Sequence, residues 1–145
     1  MQFRAYIESE EKGVAVKFPD IPELEVVAHT RADAIRQAET ELNQHLESLL
    51  AEHRVPERPQ ERRDHVTNSS VMIPIRHELD ISLQLIWARR EQGLSLSEVG
   101  NRMGVSRQRI ARLESGSRNW TVETLRRLSA ALGVDFRVVM ERREQ

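Results

Sequence analysis

Residues 94–116, LSLSEVGNRMGVSRQRIARLESG, constrain the fold more than any other stretch. They read as a helix, a tight turn and a second helix. Ser95 is placed to accept from the unpaired N–H groups at the start of the first helix, and Glu98 follows three residues later, as a capping box requires. Val99 and Met103 fall on one face of that helix. Gly104 supplies the left-handed residue that ends it. Val105 plugs the corner. Ser106 caps the second helix, which turns Ile110 and Leu113 inward. Arg107, Gln108, Arg109 and Arg112 are left on its outer side. A helix of this width fits the major groove of B-DNA, where arginine and glutamine hydrogen-bond guanine and adenine edges in pairs.

The charge distribution is consistent with such a partner. Residues 1–75 carry nine basic and fourteen acidic side chains, a net of −5. Residues 76–145 carry thirteen arginines and nine acids, a net of +4. A basic half suits a polyanion, and an acidic half suits something basic. For the acidic half, an ordinary charged helix surface explains the same count. The 145 residues hold no cysteine, which removes disulfides and thiolate metal sites and suits a reducing compartment. No apolar run approaches the roughly 20 residues of a membrane span. The first residues, MQFRAYIESE, lack the apolar region of a secretory signal. A cytoplasmic protein is expected.

The first half reads as strands followed by a helix. Residues 3–7 alternate and form a first strand. Residues 8–13 (ESEEKG) form a polar turn. Val14, Val16 and Phe18 mark a second strand, and residues 24–28 a short third. Thr30 then caps a helix, with Asp33 at the reciprocal position and Ala34, Ala38, Leu42, Leu46 and Leu49 on one stripe. That stripe is expected to cover the sheet, since three strands need a cover to be stable, the alternative being an exposed groove for a partner helix. Residues 55–70 are a polar linker. Residues 71–75 (VMIPI) form a fourth strand, which Pro74 places at an edge.

In the second half, Ile81, Leu85 and Ala88 recur at helical spacing. After the central motif, a helix runs from Trp120 to Leu132, capped by Thr121 and ended by Gly133, with Val122, Leu125, Leu128 and Leu132 inward. Beyond it Val134, Phe136, Val138 and Met140 alternate as a strand with no neighbour in sequence. Such a strand either pairs with its copy in a second chain or packs on its own domain. The first arrangement sets two recognition helices about 34 Å apart, as a palindromic site requires.

The hairpin, FPDIPELEV at 18–26, HTRADAIRQA at 29–38, PERP at 56–59 and VMIPI together resemble the HicB antitoxin family. The resemblance implies a truncated ribonuclease H-like domain that binds and covers a small mRNA-degrading toxin, HicA. Residues 79–135 resemble the lambda-repressor/Cro-like (XRE) helix-turn-helix family. That resemblance implies an ion pair between Arg89 and Glu114, the alternative being two solvated side chains. Three positions depart from its usual pattern: Leu96 stands in place of glutamine, Gly100 of alanine and Trp120 of proline. With the phosphate contact at position 96 in doubt, Ser95, Arg118 and Asn119 are candidates for backbone contacts, which position a protein on DNA without reading sequence.

The expected fold is α+β. A small β-β-β-α-β domain over residues 1–75, its linker included, precedes an all-α helix-turn-helix domain with a C-terminal strand over 76–145. His29, His45, His53, His65 and His77 show no metal spacing, and no catalytic triad, phosphate loop or zinc finger is present. No enzyme activity, metal or cofactor is expected. The expected function is that of an antitoxin. It binds and neutralises a HicA-like toxin and represses its own operon through double-stranded operator DNA, as a homodimer with a tetramer as the further option. The alternative is a stand-alone repressor with a ligand-sensing or oligomerising N-terminal domain.

Overall fold

A computed structural model describes residues 1–60, 69–116 and 119–142. Three strands open the chain, β1 (Gln2–Glu10), β2 (Gly13–Phe18) and β3 (Ile21–Ala28). After the helix α1 (Arg31–Ala51), β4 (Ser70–Pro74) returns along the free side of β1. The sheet order is β3-β2-β1-β4, antiparallel throughout. Pro74 stands on an edge strand opposite Gln2, where its missing N–H costs no ladder bond. Pro22 is tolerated on the other edge for the same reason, so β3 begins at Ile21 and not at Leu24. The first turn also differs from expectation. It narrows to Glu11 and Lys12, because Glu8, Ser9 and Glu10 continue the ladder opposite Ala15, Val14 and Gly13. Backbone pairing ran on past the end of the hydrophobic alternation.

Alternation decides which face of the sheet is dry. Phe3, Ala5, Ile7, Val16, Phe18, Val26 and Ile73 are buried on one side, and α1 lays Ala34, Ala38, Leu42, Leu46 and Leu49 upon it. Thr30 starts α1, its Oγ1 accepting the Asp33 N–H at 3.2 Å. The Asp33 carboxylate is engaged by Arg36. Asn43, inside the buried stripe, is a polar tie. Its Oδ1 accepts the Arg76 N–H at 2.7 Å, and its Nδ2 donates to the Glu39 carbonyl at 2.8 Å.

The helix α2 (His77–Glu91) serves two cores. Leu79, Leu83, Ile86 and Trp87 complete the core under the sheet, while Leu85 enters a second core with Val99, Met103, Ile110, Leu113, Leu128 and Leu132. The expected stripe of Ile81, Leu85 and Ala88 is therefore only one of its two apolar faces. Ser82, fully buried, donates to the Leu113 carbonyl at 2.7 Å. The second core is closed by α3 (Leu96–Met103), α4 (Arg107–Glu114) and α5 (Val122–Leu132).

At the C-terminal end the inward position of Val122 and the packing of the tail strand on its own domain differ from expectation. Val122 is 77% exposed at the first position of α5, where Thr124, Leu128, Ala131 and Leu132 form the buried face. At 3.6 residues per turn Val122 lies about 120° round the helix from Leu128 and faces solvent, and Leu125 is only half-buried at the edge of the buried face. Residues 134–142 form no strand and do not pack as one on their own domain. Val134, Phe136, Val138 and Met140 are exposed, Met140 by 93%. An extended segment becomes a strand only when a neighbouring edge takes its hydrogen bonds.

Candidate nucleic-acid interface

Local chemistry sets the two helices that carry the candidate residues. Ser95 Oγ accepts the Glu98 N–H at 3.0 Å and starts α3. Gly104, at φ 67°, ends it in the left-handed conformation. The turn then closes tightly. The Val105 N–H donates to the Gly100 carbonyl at 2.9 Å, and a Cβ on Gly100 would stand 2.8 Å from the Val105 carbonyl oxygen. The glycine that departs from the expected alanine therefore permits this close approach. Ser106 Oγ accepts the Arg109 N–H at 3.2 Å and starts α4.

From that start, Ile110 and Leu113 are buried, and Arg107, Gln108, Arg109 and Arg112 are exposed. Among the described residues these four side chains hold no hydrogen bond or ion pair. Arginines elsewhere are committed: Arg58 to Glu91, Arg76 to Glu47, and Arg126 to Glu123. Three unneutralised guanidinium groups beside a helix N-terminus, itself partly positive, give this face a positive potential that favours anions. Asn119 is exposed and engaged with a neighbour. Arg118 lies outside the described residues.

The frame behind α4 is held by polar ties. Arg89 and Glu114 form the implied pair, with Nε–Oε1 at 2.5 Å and Nη2–Oε2 at 2.9 Å, each side chain only 12% exposed. Arg89 Nη1 also donates to the Leu94 carbonyl at 2.9 Å, so one guanidinium joins α2, the turn after it and α4. Further ties went unread in the sequence. Arg102 donates to the Ala131 carbonyl at 2.9 Å and Arg127 to the Met103 carbonyl, so α3 and α5 each place an arginine on the other's last carbonyls. Gln92 donates to the Leu132 carbonyl at 2.7 Å. Their only signal was position. Arg102, in the last turn of its helix, is a general preference and not a contact.

Of the five histidines, His29, His45, His53 and His77 are described and His65 lies outside the described residues. Among the described residues no group of three or more His, Cys, Asp or Glu could hold an ion. His45 faces Glu23 at 3.1 Å. Glu23 sits below the usual carboxylate range, chiefly through a hydrogen bond to its own backbone and next through His45. Among the described residues no helix is long and apolar enough to cross a membrane.

These residues define a helix-turn-helix domain on an α+β chain. The helix-turn-helix family matches residues 85–139, from the middle of α2 into the tail. Over 46 residues the chain is 54% identical to an uncharacterised HTH-type transcriptional regulator, y4dJ, of Sinorhizobium fredii. That match takes in 32% of this chain and 60% of the relative, so the chain spans about three fifths of that relative's length. Among solved structures, a chain of the HicA3 and HicB3 toxin-antitoxin complex aligns with TM-score 0.45 and 22% identity, over 52% of this chain and 99% of that one. The antitoxin HicB3 aligns with TM-score 0.44 and 22% identity, over 52% of this chain and 62% of that one.

Proposed function

We propose that the chain is an antitoxin-type repressor of the cytoplasm that acts by binding and not by catalysis. Its second half reads operator DNA, and its first half binds and silences a small HicA-like mRNA-degrading toxin. The observation that carries the DNA reading is the exposed face of α4, where Arg107, Gln108, Arg109 and Arg112 stand unpartnered on a helix pinned from behind by Arg89 and Glu114. Arg107, Gln108 and Arg109, in the first turn, are suited to base edges, and Arg112 to an edge or a nearby phosphate. Ser95 and Ser106 use an oxygen lone pair for capping and keep a hydroxyl proton for a phosphate oxygen. Arg118 and Asn119 complete the backbone contacts. The toxin reading rests on the HicB-like motifs, the β-β-β-α-β order that carries them and the acidic balance of residues 1–75. A protein that cleaves RNA needs a basic surface, which an acidic domain can cover.

Operator reading calls for a homodimer, since two-fold related recognition helices match a palindrome. The exposed apolar residues of the tail, Val134, Phe136, Val138 and Met140, support that assembly. The test is co-purification from the native host, followed by mRNA cleavage with and without this chain. A small basic partner whose cleavage is silenced, together with binding to DNA upstream of the pair, is the expected result. A chain that binds DNA through residues 107–112 but emerges alone would leave a stand-alone repressor, and the antitoxin reading would be wrong.

A further inference from the structure

A groove of about 490 Å³ runs between α2 and α5. Its floor is apolar, built from Ile81, Leu85 and Ala88 on α2 and Leu125, Leu128 and Leu132 on α5. The chain's own tail makes one wall through Val134 and Phe136. Arg58 makes part of the rim. It reaches over from the segment after α1, its guanidinium 5.0 Å from the Trp87 ring centre, and donates to Glu91 Oε1 at 3.0 Å and Gln84 Oε1 at 3.3 Å. Trp87 Nε1 in turn donates to the Pro56 carbonyl at 2.9 Å. The rim is thus tied to the first half of the chain.

The tail borders the groove and then leaves it. Val138, Val139 and Met140 follow, all exposed. Among the described residues, positions 135–142 make no backbone–backbone hydrogen bond. Each chain therefore carries, side by side, an apolar groove in which Ile81, Ala88 and Leu125 stay half-exposed above the buried Leu85, Leu128 and Leu132, and an extended apolar segment without backbone partners among the described residues. Clustered exposed apolar surface of this kind marks an interaction site. A free edge is a template for another chain. The two features complement each other, and both are present in every copy. An isologous two-fold contact has this requirement: the same patch on both partners, each filling the other.

We propose that the groove between α2 and α5 is the seat for residues 138–140 of a second copy, exchanged reciprocally across a two-fold axis. This rests on the repressor reading, which calls for a dimer, and adds where the second tail goes. It also makes Arg58 a rim residue of the dimer contact, so that the segment leading out of the first domain borders the interface.

The absence of cysteine allows a direct test on the full chain. One chain carries Ile81→Cys or Ala88→Cys. A second, differently tagged, carries Val138→Cys, Val139→Cys or Met140→Cys. The two are co-expressed and mildly oxidised. A disulfide between the two tags is expected for at least one pairing, since it requires Cα atoms within about 7 Å. As an independent measure, Ile81→Arg, at a half-exposed position, should weaken dimerisation at least about 30-fold in sedimentation with the fold retained by circular dichroism. Links only between two tail cysteines, with the dimer intact, would mean that the tails pair with each other. The seat would then be wrong and the repressor dimer right. A dimer that shows no link to the groove and is indifferent to Ile81→Arg would also overturn the seat. A chain that stays monomeric would overturn the seat and the dimer together.

Discussion

Replacing Glu114 with leucine should destabilise the second half more than any single change on the surface of α4. Three N–H groups of Arg89 are held, two by the Glu114 carboxylate at 2.5 and 2.9 Å and one by the Leu94 carbonyl at 2.9 Å. The substitution removes two of those acceptors while the guanidinium stays at 12% exposure. Removing one partner from a buried pair costs about 3–5 kcal/mol, because the remaining charge is desolvated without compensation. The residual exposure of this pair sets the loss at the lower end, about 3 kcal/mol. For a chain of this size that lowers Tm by roughly 6–12 °C. The double variant Arg89→Met, Glu114→Leu removes both charges and should recover to within about 1 kcal/mol of the parent, since an apolar pair of similar volume replaces a buried ion pair at little cost. Urea unfolding followed by Trp87 and Trp120 fluorescence, run as a double-mutant cycle, measures both quantities. A single-variant loss under about 1 kcal/mol, as for solvent-exposed pairs, would refute the reasoning. So would a double variant as unstable as the sum of the singles.

Gln108→Ala should relax operator preference at one base pair by about 1–3 kcal/mol, read from binding to a set of single-base operator variants; an unchanged preference would remove Gln108 from base contact. Arg112→Ala should weaken binding, and if Arg112 holds a phosphate, the slope of log K against log salt should fall by about 0.9, measured by anisotropy at several salt concentrations. Asn43→Ala should cost about 1–3 kcal/mol in chemical unfolding, because the Arg76 N–H loses its acceptor at a part-buried site. Gly100→Val should lower Tm despite removing a helix glycine, because its Cβ meets a backbone oxygen at 2.8 Å that no side-chain rotation can clear. A rise in Tm would show that the turn can open.

Elements set by local chemistry were legible in the chain. Thr30, Ser95, Ser106 and Thr121 cap helices as their neighbours required, and Gly104 and Gly133 end them at φ 67° and 62°. The exposed face of α4 followed from the same reading, since a capped helix with Ile110 and Leu113 inward has its outer positions determined. The edge position of β4 followed from one proline. What the reading missed depends on partners distant in sequence. Val122 stands three residues from Leu125 and six from Leu128, and at 3.6 residues per turn that series drifts off the face that Thr124, Leu128, Ala131 and Leu132 bury. Asn43, Ser82, Arg102 and Gln92 look like ordinary polar helix residues until a carbonyl or an N–H from 29 to 40 positions away, or 31 to 33 for the first two, is brought beside them.

The helix α2 marks the division most clearly. The sequence by itself determined that a helix begins near Leu79 and ends at Gly93 and that Ile81, Leu85 and Ala88 share a face, because helical spacing is a property of a few consecutive residues. Only the tertiary structure decided that a second face, through Leu79, Leu83, Ile86 and Trp87, closes the core beneath the sheet and makes one helix a member of both halves. Hydrophobic burial is non-directional. It fixes that an apolar face must be covered, while the covering surface is selected by close packing among elements far apart in the chain.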